Sequence, residues 1–247
     1  MLYSVSGSFQ SMLASLKWMS PLSKISALEK IKKMIKMTVL ENRRAFAILL
    51  DLPERGHFDA PLFILNAYYQ ATENAMYILP GLLSPPFYSP NWPASVNFGA
   101  IGYVLGHELT HGFDNNGVHW DSTGVYRNWL DSKSLLRFQA KAQCLVGQYD
   151  ELCYHRANWT EDNCVDGNRT LAENIADNGG IKAAYLAYRS WQNLQEEKPL
   201  RLPGPMQGFT QDQLFFLAFA RFYCRNVSTG WLERMLQNEV HAPDRYR

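Results

Sequence analysis

The stretch Asn97 to Asp114, NFGAIGYVLGHELTHGFD, predicts a helix with two chemically different faces, around which the rest of the chain is arranged. At about 100° per residue, His107 and His111 lie roughly 40° apart on one face. The apolar side chains lie on the opposite face, at Phe98, Leu105, Leu109 and Phe113. One face of the helix can therefore hold a metal ion while the other packs into a core.

Glu108 lies between the two histidines and is turned away from the face that they share. At that position a carboxylate can reach a metal-bound water without being a ligand itself. The spacing is the His-Glu-x-x-His pattern, which makes Glu108 a candidate general base. A structural pair of histidines is the alternative, and a third ligand elsewhere in the chain would decide against it.

Glu173 and Asp177 are four residues apart in a predicted helix that begins at Thr170, so their carboxylates share a face. Thr170-x-x-Glu173 is also a capping box, which would explain Glu173 without a metal. Capping does not explain Asp177, whose placement suits a carboxylate that fixes the tautomer of a ligating imidazole. Two histidines, one glutamate and an open position form a known set of catalytic zinc ligands.

Length and charge limit the class of protein. At 247 residues the chain can bury a substantial core, and we predict a single domain over residues 1–247. A net charge of +1 gives no general attraction to nucleic acid or anionic membranes. The Lys-rich segment Lys24 to Lys36 fits a solvated helix face better than a membrane contact. We find neither a membrane span nor a signal peptide, and we expect no nucleic-acid partner.

Hydrophobic periodicity and turn residues predict the remaining elements. Phe63 to Gln70 and Ala75 to Leu79 are predicted to pair as strands, and Ser95 or Asn97 to cap the central helix. The other predicted helices are Ser6 to Met37 with a break at Ser20-Pro21, Arg43 to Leu52, Asp131 to about Tyr149, the helix from Thr170, Thr210 to about Cys224, and Ser228 to about Val240.

Four segments together resemble the neprilysin and endothelin-converting-enzyme family of zinc metallopeptidases, in the family's order. They are LNAYY (65–69), GHELTHGFD (106–114), AENIADNGG (172–180) and VHAPDRYR (240–247). The resemblance implies a mostly α (α+β) fold, a thermolysin-like zincin catalytic lobe of helices with a small β-sheet. It also implies one Zn²⁺ per chain, held by His107, His111 and Glu173.

The resemblance assigns further roles. Asp177 orients a ligating histidine, and Asp114 is a second support. Asn66 and Ala67 bind the substrate backbone, His241 stabilises the oxyanion, and Arg247 grips the substrate carbonyl beyond the cut. Val104, Phe222 and Tyr223 match positions near the family's primed-side hydrophobic pocket, a weaker assignment. Plain core packing is an equal alternative for these three residues.

We therefore expect a zinc-dependent endopeptidase that cuts small peptides on the amino side of hydrophobic residues, with Glu108 as general base on a zinc-bound water. The resemblance places it outside the cell or at the cell surface. Family members also have a membrane anchor, an amino-terminal lobe and a carboxy-terminal tail, and we expect this chain to be the catalytic portion without them. The alternative is a truncated, inactive member that binds zinc and acts at most as a binding module.

The cysteines and glycosylation sequences agree with such a location. Acceptor sequences for N-linked sugars occur at Asn158, Asn168 and Asn226. Cys144 and Cys224 match family cysteines whose partners lie in the missing parts, so both are expected to be unpaired. Cys153 and Cys164 bracket a short polar loop and should pair if the chain is secreted. A Cys144 to Cys224 bridge is the competing possibility.

Overall fold

The computed structural model describes residues 1–50, 64–154, 163–195 and 202–247, with the backbone alone for 40–42 and 44–50. Within these ranges the chain is mostly helical, as predicted, with two short hairpins. No helix among the described residues is both long and apolar enough to cross a bilayer. The helices are α1 (Leu2–Ser15), α2 (Pro21–Leu50), α3 (Ala94–Asn97), α4 (Tyr103–His111), α5 (Ser132–Asp150), α6 (Leu171–Asn193), α7 (Gln211–Phe222) and α8 (Thr229–Asn238), and the strands are β1 (Ala67–Gln70), β2 (Ala75–Ile78), β3 (Cys153–Tyr154) and β4 (Asn163–Cys164).

The amino-terminal helices show one correct prediction and one error. The predicted break is confirmed, because α1 ends at Ser15 and α2 begins at Pro21, where proline suits a first helical position. The separate helix predicted over 43–52 is wrong, since α2 continues without interruption to Leu50. The stretch between the two predicted helices contains no glycine or proline that could end a helix. Thr38 within it is buried, and its hydroxyl accepts the Met76 N–H at 2.9 Å.

The central helix is one run of three pieces. A π-helical turn (Phe98–Gly102) joins α3 to α4, and such turns are frequent at functional sites. Neither predicted cap is used, because the run begins after Pro93. Ser95 instead donates a hydrogen bond to the side chain of Gln211 at 2.5 Å. The predicted starts of three later helices are confirmed: the side chains of Asp131, Thr210 and Ser228 each accept a backbone N–H of the helix that follows.

Two glycines let α4 and α6 cross at close range. A Cβ atom at Gly106 would lie 2.6 Å from the carbonyl oxygen of Gly180, and one at Gly180 would lie 2.6 Å from the backbone nitrogen of His107. Cβ atoms do not approach other atoms so closely, so only glycine fits at both positions. The short distance brings the two helix faces that carry the predicted metal ligands towards each other.

A buried lysine ties α2 to the loop that follows α4. Lys30 is 0% exposed, and its Nζ donates hydrogen bonds of 2.6, 2.7 and 2.6 Å to the carbonyl oxygens of Gly112, Gly117 and Trp120. Burial lowers the pKa of Lys30 to about 7. The three acceptors favour the charged form, because they match the three hydrogens of an ammonium group. The loop held in this way carries Asp114.

The predicted strand pair is confirmed in a shorter form. β1 and β2 are antiparallel, with Ala67 opposite Ile78. β2 packs against α2, and β1 faces α4. Asn66 lies one residue before β1 rather than inside it, and Phe63 is outside the described residues. β1 has no second neighbouring strand in the described part of the chain.

The cysteines are arranged as predicted. Cys153 and Cys164 form a disulfide across the β3–β4 hairpin, while Cys144 and Cys224 are free and exposed. The competing Cys144 to Cys224 bridge is therefore wrong.

Replacing Gly180 with alanine should destabilise the protein by about 1–3 kcal/mol, because the added methyl group would overlap the backbone of His107. Gly147→Ala is the matched control. Gly147 is exposed in the interior of α5 with nothing within 4 Å of its Cβ position, so alanine there should stabilise by about 0.5–1 kcal/mol. Chemical denaturation of both variants measures the two values, and equal effects would contradict a close helix crossing.

Labelling with a thiol reagent should modify two cysteines per chain without reductant and four after reduction and unfolding. Peptide mapping should place the first two labels on Cys144 and Cys224, because the disulfide protects the other pair. A label on Cys153 or Cys164 before reduction would show that the hairpin is not bridged.

Candidate metal centre

The three predicted ligands converge on one space between α4 and α6. The donor atoms of His107, His111 and Glu173 all lie within 4.8 Å of one another. The two Nε2 atoms are 3.0 Å apart, and Glu173 Oε2 lies 3.2 Å from Nε2 of His107 and 3.6 Å from that of His111. Ligands placed tetrahedrally at about 2 Å from a zinc ion are roughly 3.3 Å apart. The observed spacings therefore suit that ion.

The donor chemistry fits a cation as well. Glu173 Oε2 is buried and makes no hydrogen bond to any residue that the structure describes, although imidazole nitrogens surround it. Burial favours the neutral acid, but the neighbouring imidazoles prevail and hold the pKa of Glu173 far below its usual range. This buried, ionised carboxylate oxygen lies beside two imidazoles. A zinc ion bound there would be a partner for the oxygen and for both Nε2 atoms. The residues present thus fit the implied metal.

The capping alternative for Glu173 is wrong. Thr170 is the N-cap residue of α6, but its side chain caps no N–H of the helix. Its hydroxyl donates backwards, to the carbonyl oxygen of Asp166, at 2.8 Å. Glu173 therefore faces the histidines rather than the start of its own helix.

A carboxylate stands behind each histidine. Asp177 Oδ1 lies 2.9 Å from Nδ1 of His107, and Asp114 Oδ2 lies 2.7 Å from Nδ1 of His111. Both carboxylates are buried, at 5% and 3% exposure. Because Nδ1 of each ring faces an acceptor, the Nε2 atoms are directed towards Glu173. Asp114 is itself held by the backbone N–H groups of Asn116 and Gly117, at 2.7 and 2.6 Å.

Asp177 receives more donors than a histidine alone. Arg247 donates to it from Nε at 2.7 Å and from Nη2 at 2.8 Å, and the Tyr103 hydroxyl donates at 2.5 Å. Burial acts against ionisation, but the bonds from His107 and Arg247 keep the pKa of Asp177 well below its usual range. Arg247, which the resemblance assigns to a substrate carbonyl, is thus also a hydrogen-bond partner of the Asp177 carboxylate.

Glu108 and His241 lie at the same centre. Glu108 is 5% exposed, its Oε2 has no hydrogen-bond partner within the described ranges, and burial raises the pKa of its carboxyl group. His241 approaches from the carboxy-terminal segment, with Nε2 at 3.0 Å from Glu173 Oε2 and a side chain that is 40% exposed. A buried carboxyl group and a half-exposed imidazole thus flank the ligand set.

A cavity of about 520 Å³ opens over the centre, within the size range of ligand pockets. Asn66 and Ala67 lie in its lining at the start of β1. Three residues that the sequence matched only weakly to a pocket also line it: Val104, Phe222 and Tyr223. The cavity lining therefore contains every predicted ligand and substrate residue together with Asp114, while Asp177 lies behind His107.

Sequence reasoning missed Tyr103. Its hydroxyl contacts both Asp177 and the hydroxyl of Tyr223. The available signal was its position, four residues before His107 on the same helix, which places both side chains on one face.

Two of the three glycosylation candidates do not line the cavity. Asn168 and Asn226 are exposed, and Asn158 lies outside the described residues.

The comparisons with known proteins agree with this geometry. An endothelin-converting enzyme homolog of Locusta migratoria is 42% identical over 184 residues, which are 74% of this chain and 24% of the relative. Neprilysin-11 of Caenorhabditis elegans is 37% identical over 214 residues, 87% of this chain and 24% of the relative. The chain thus spans about a quarter of the length of these curated relatives.

Solved structures extend the comparison to the fold. The zinc metalloprotease ZMP1 of Mycobacterium tuberculosis, in complex with an inhibitor, superposes with a TM-score of 0.81 at 25% identity, covering 99% of this chain and 41% of that one. The predicted zincin fold is therefore confirmed. The family model for peptidase family M13 matches residues 66–247. The chain belongs to peptidase family M13, the family of neprilysin and the endothelin-converting enzymes.

Proposed function

We propose that this chain is the catalytic portion of a zinc-dependent endopeptidase that hydrolyses small peptides on the amino side of hydrophobic residues. The observation that carries the proposal is the convergence of His107, His111 and Glu173 beside a buried Glu108 in one open cavity. Relatives named as endothelin-converting enzymes and neprilysins support the same class of reaction.

His107, His111 and Glu173 would hold one zinc ion per chain, with Asp177 and Asp114 fixing the two imidazoles. When bound, zinc polarises a substrate carbonyl group and lowers the pKa of water towards neutrality.

Glu108 is the proposed general base. It accepts a proton from the attacking water and passes it to the leaving amine. Efficient proton transfer of this kind needs a pKa near the working pH, and burial moves the pKa of Glu108 upwards in that direction. Its Oε2 is available for the transfer, because no donor among the described residues forms a hydrogen bond with it.

The start of β1 is the proposed binding edge for the peptide. An extended substrate can add to an unpaired strand edge through main-chain hydrogen bonds. Ala67 begins the strand, and the exposed side chain of Asn66 lies beside it in the cavity lining. Together they can bind backbone groups of a substrate whatever its side chains are.

Two side chains, His241 and Arg247, are the proposed hydrogen-bond donors to the substrate next to the scissile bond. The half-exposed His241 can donate to the negative charge that develops on the carbonyl oxygen, a contribution of about 3 kcal/mol in comparable sites. Arg247 uses Nε and Nη2 for Asp177, so Nη1 is the nitrogen proposed to bind the next substrate carbonyl.

The preference for hydrophobic residues is assigned to the apolar part of the cavity. Val104 and Phe222 line it, and Leu82 lies in the same wall. Side chains of this kind favour an apolar substrate group through burial of its surface.

The chemistry also supports a location outside the cytosol. The Cys153–Cys164 disulfide is typical of oxidising compartments. Exposed glycosylation sequences at Asn168 and Asn226 agree with an extracellular or cell-surface protein.

Glu108→Gln should reduce hydrolysis of a fluorogenic peptide by at least about 10²- to 10⁴-fold while about one zinc per chain is retained, because the residue moves protons and binds no metal. Glu173→Gln should lose both zinc and activity, because a ligand is removed. Elemental analysis and initial rates of the purified proteins measure the two properties.

Glu151→Gln is the matched control for both changes, since Glu151 is exposed at the end of α5. It should keep zinc and activity. Full zinc in Glu173→Gln would contradict the ligand assignment. Zinc without any hydrolysis in the unchanged protein would favour the alternative of an inactive binding module.

Asn66→Ala should raise KM for a peptide substrate about tenfold and leave zinc content unchanged, because it removes hydrogen bonds to the substrate backbone of about 1 kcal/mol or more. Steady-state kinetics measure the change. Asn91→Ala serves as control, because Asn91 is exposed and does not line the cavity. An unchanged KM in Asn66→Ala would remove this residue from the proposed substrate site.

A further inference from the structure

We propose that Tyr103 is a positioning residue for the metal ligand His107 and acts on it through Asp177. The inference rests on the proposed zinc site and adds a residue to it. It starts from the position of Tyr103 on α4, one helical turn before His107 and on the same face.

The ring of Tyr103 is fixed by its surroundings. The residue is 2% exposed, and the ring packs edge to face against Phe219, with centroids 4.8 Å apart, and against Phe222 at 5.9 Å. A side chain enclosed in this way has little freedom to leave its rotamer. The hydroxyl group therefore stays at one point in the site.

The Tyr103 hydroxyl contacts the same oxygen of Asp177 that lies beside His107. It donates to Asp177 Oδ1 at 2.5 Å, and the same oxygen lies 2.9 Å from Nδ1 of His107. An ionised carboxylate has no proton to give, so the tyrosine must be the donor. Short hydrogen bonds to a charged oxygen are among the stronger ones in proteins.

The bond from Tyr103 complements those from Arg247. The guanidinium group approaches both carboxylate oxygens, with Nε on Oδ2 and Nη2 on Oδ1. Tyr103 approaches from α4, the helix that also carries His107, and holds Oδ1 at a fixed place relative to that imidazole. This place bears on the orientation of the ring, because Nδ1 of His107 lies 2.9 Å from Oδ1.

Tyr223 sets the direction of the Tyr103 proton. The two hydroxyl groups are in hydrogen-bond contact. Since the Tyr103 hydrogen is used on Asp177, Tyr223 must donate to the Tyr103 oxygen. Tyr223 is partly exposed in the cavity wall, and Arg247 lies over its ring at 5.0 Å. The chain of donors therefore runs from the cavity wall to Asp177, the carboxylate beside the metal ligand.

A second buried tyrosine provides a matched control. Tyr188 is 1% exposed and packs among aromatic rings, as Tyr103 does, but its hydroxyl has no hydrogen-bond partner in the described part of the chain. Replacing either tyrosine with phenylalanine removes one buried oxygen and preserves the ring. Only the change at Tyr103 disconnects a donor from Asp177.

The test measures zinc affinity by competition with a chromophoric chelator, for the unchanged protein and the variants Tyr103→Phe, Tyr188→Phe and Tyr223→Phe. Loss of a residue that orients a ligand typically weakens metal binding by 10- to 100-fold. We expect about a tenfold loss for Tyr103→Phe, a smaller loss for Tyr223→Phe, and a change of less than about twofold for Tyr188→Phe. Peptide kinetics should show a lower kcat for Tyr103→Phe with KM little changed, which a packing defect alone would not produce.

Equal zinc affinity in Tyr103→Phe and Tyr188→Phe would overturn the inference and leave the proposed zinc site intact. An unchanged protein that binds no zinc would overturn the proposed function itself. If Tyr103→Phe does not fold, Tyr223→Phe decides, because zinc binding as tight as in the unchanged protein would then contradict the chain of donors.

Discussion

The contact between the backbones of α4 and α6 is the constraint on which the rest of the site depends. Two ligands come from α4 and one from α6, and their donor atoms meet because Gly106 and Gly180 let the helices cross without side chains between them. Gly179 extends the contact, since a Cβ there would lie 2.5 Å from the side chain of Thr110. The glycines in the GHELTH and DNGG segments thus serve helix packing, while the polar residues beside them serve chemistry.

Each histidine is supported by a separate part of the chain. His107 is supported through Asp177, which gathers donors from α4 and from the carboxy-terminal Arg247. His111 is supported through Asp114, whose loop is pinned by Lys30 of α2. The two supports share no residue, so each imidazole can be held in its own orientation. A site built in this way has its ligands preorganised before a metal or substrate arrives.

Local spacing explains what could be predicted from the sequence. His107 and His111 are one helical turn apart, as are Glu173 and Asp177, so each pair could be placed on a helix face without knowledge of the fold. The contacts of Asp177 with Tyr103 and Arg247 join residues 74 and 70 positions apart, which no periodicity reveals. The resemblance to a family supplied Arg247 but not its carboxylate partner. The sequence pattern also did not predict that α2 is continuous, because tertiary contacts such as that of Thr38 with β2 override weak local preferences.

The three hydrogen bonds of Lys30 show that the support of the metal site extends beyond the segment that the family model matches. The segment shared with the family model begins at residue 66, whereas Lys30 lies on a helix well before it. Without α2, the carbonyl groups of Gly112, Gly117 and Trp120 would lose their only shared cation among the described residues, and the loop that carries Asp114 would lose the contact that holds it. A fragment that starts at residue 66, where the family model begins, would therefore lack part of the support of the metal site. Any fragment meant to bind metal has to start upstream of α2.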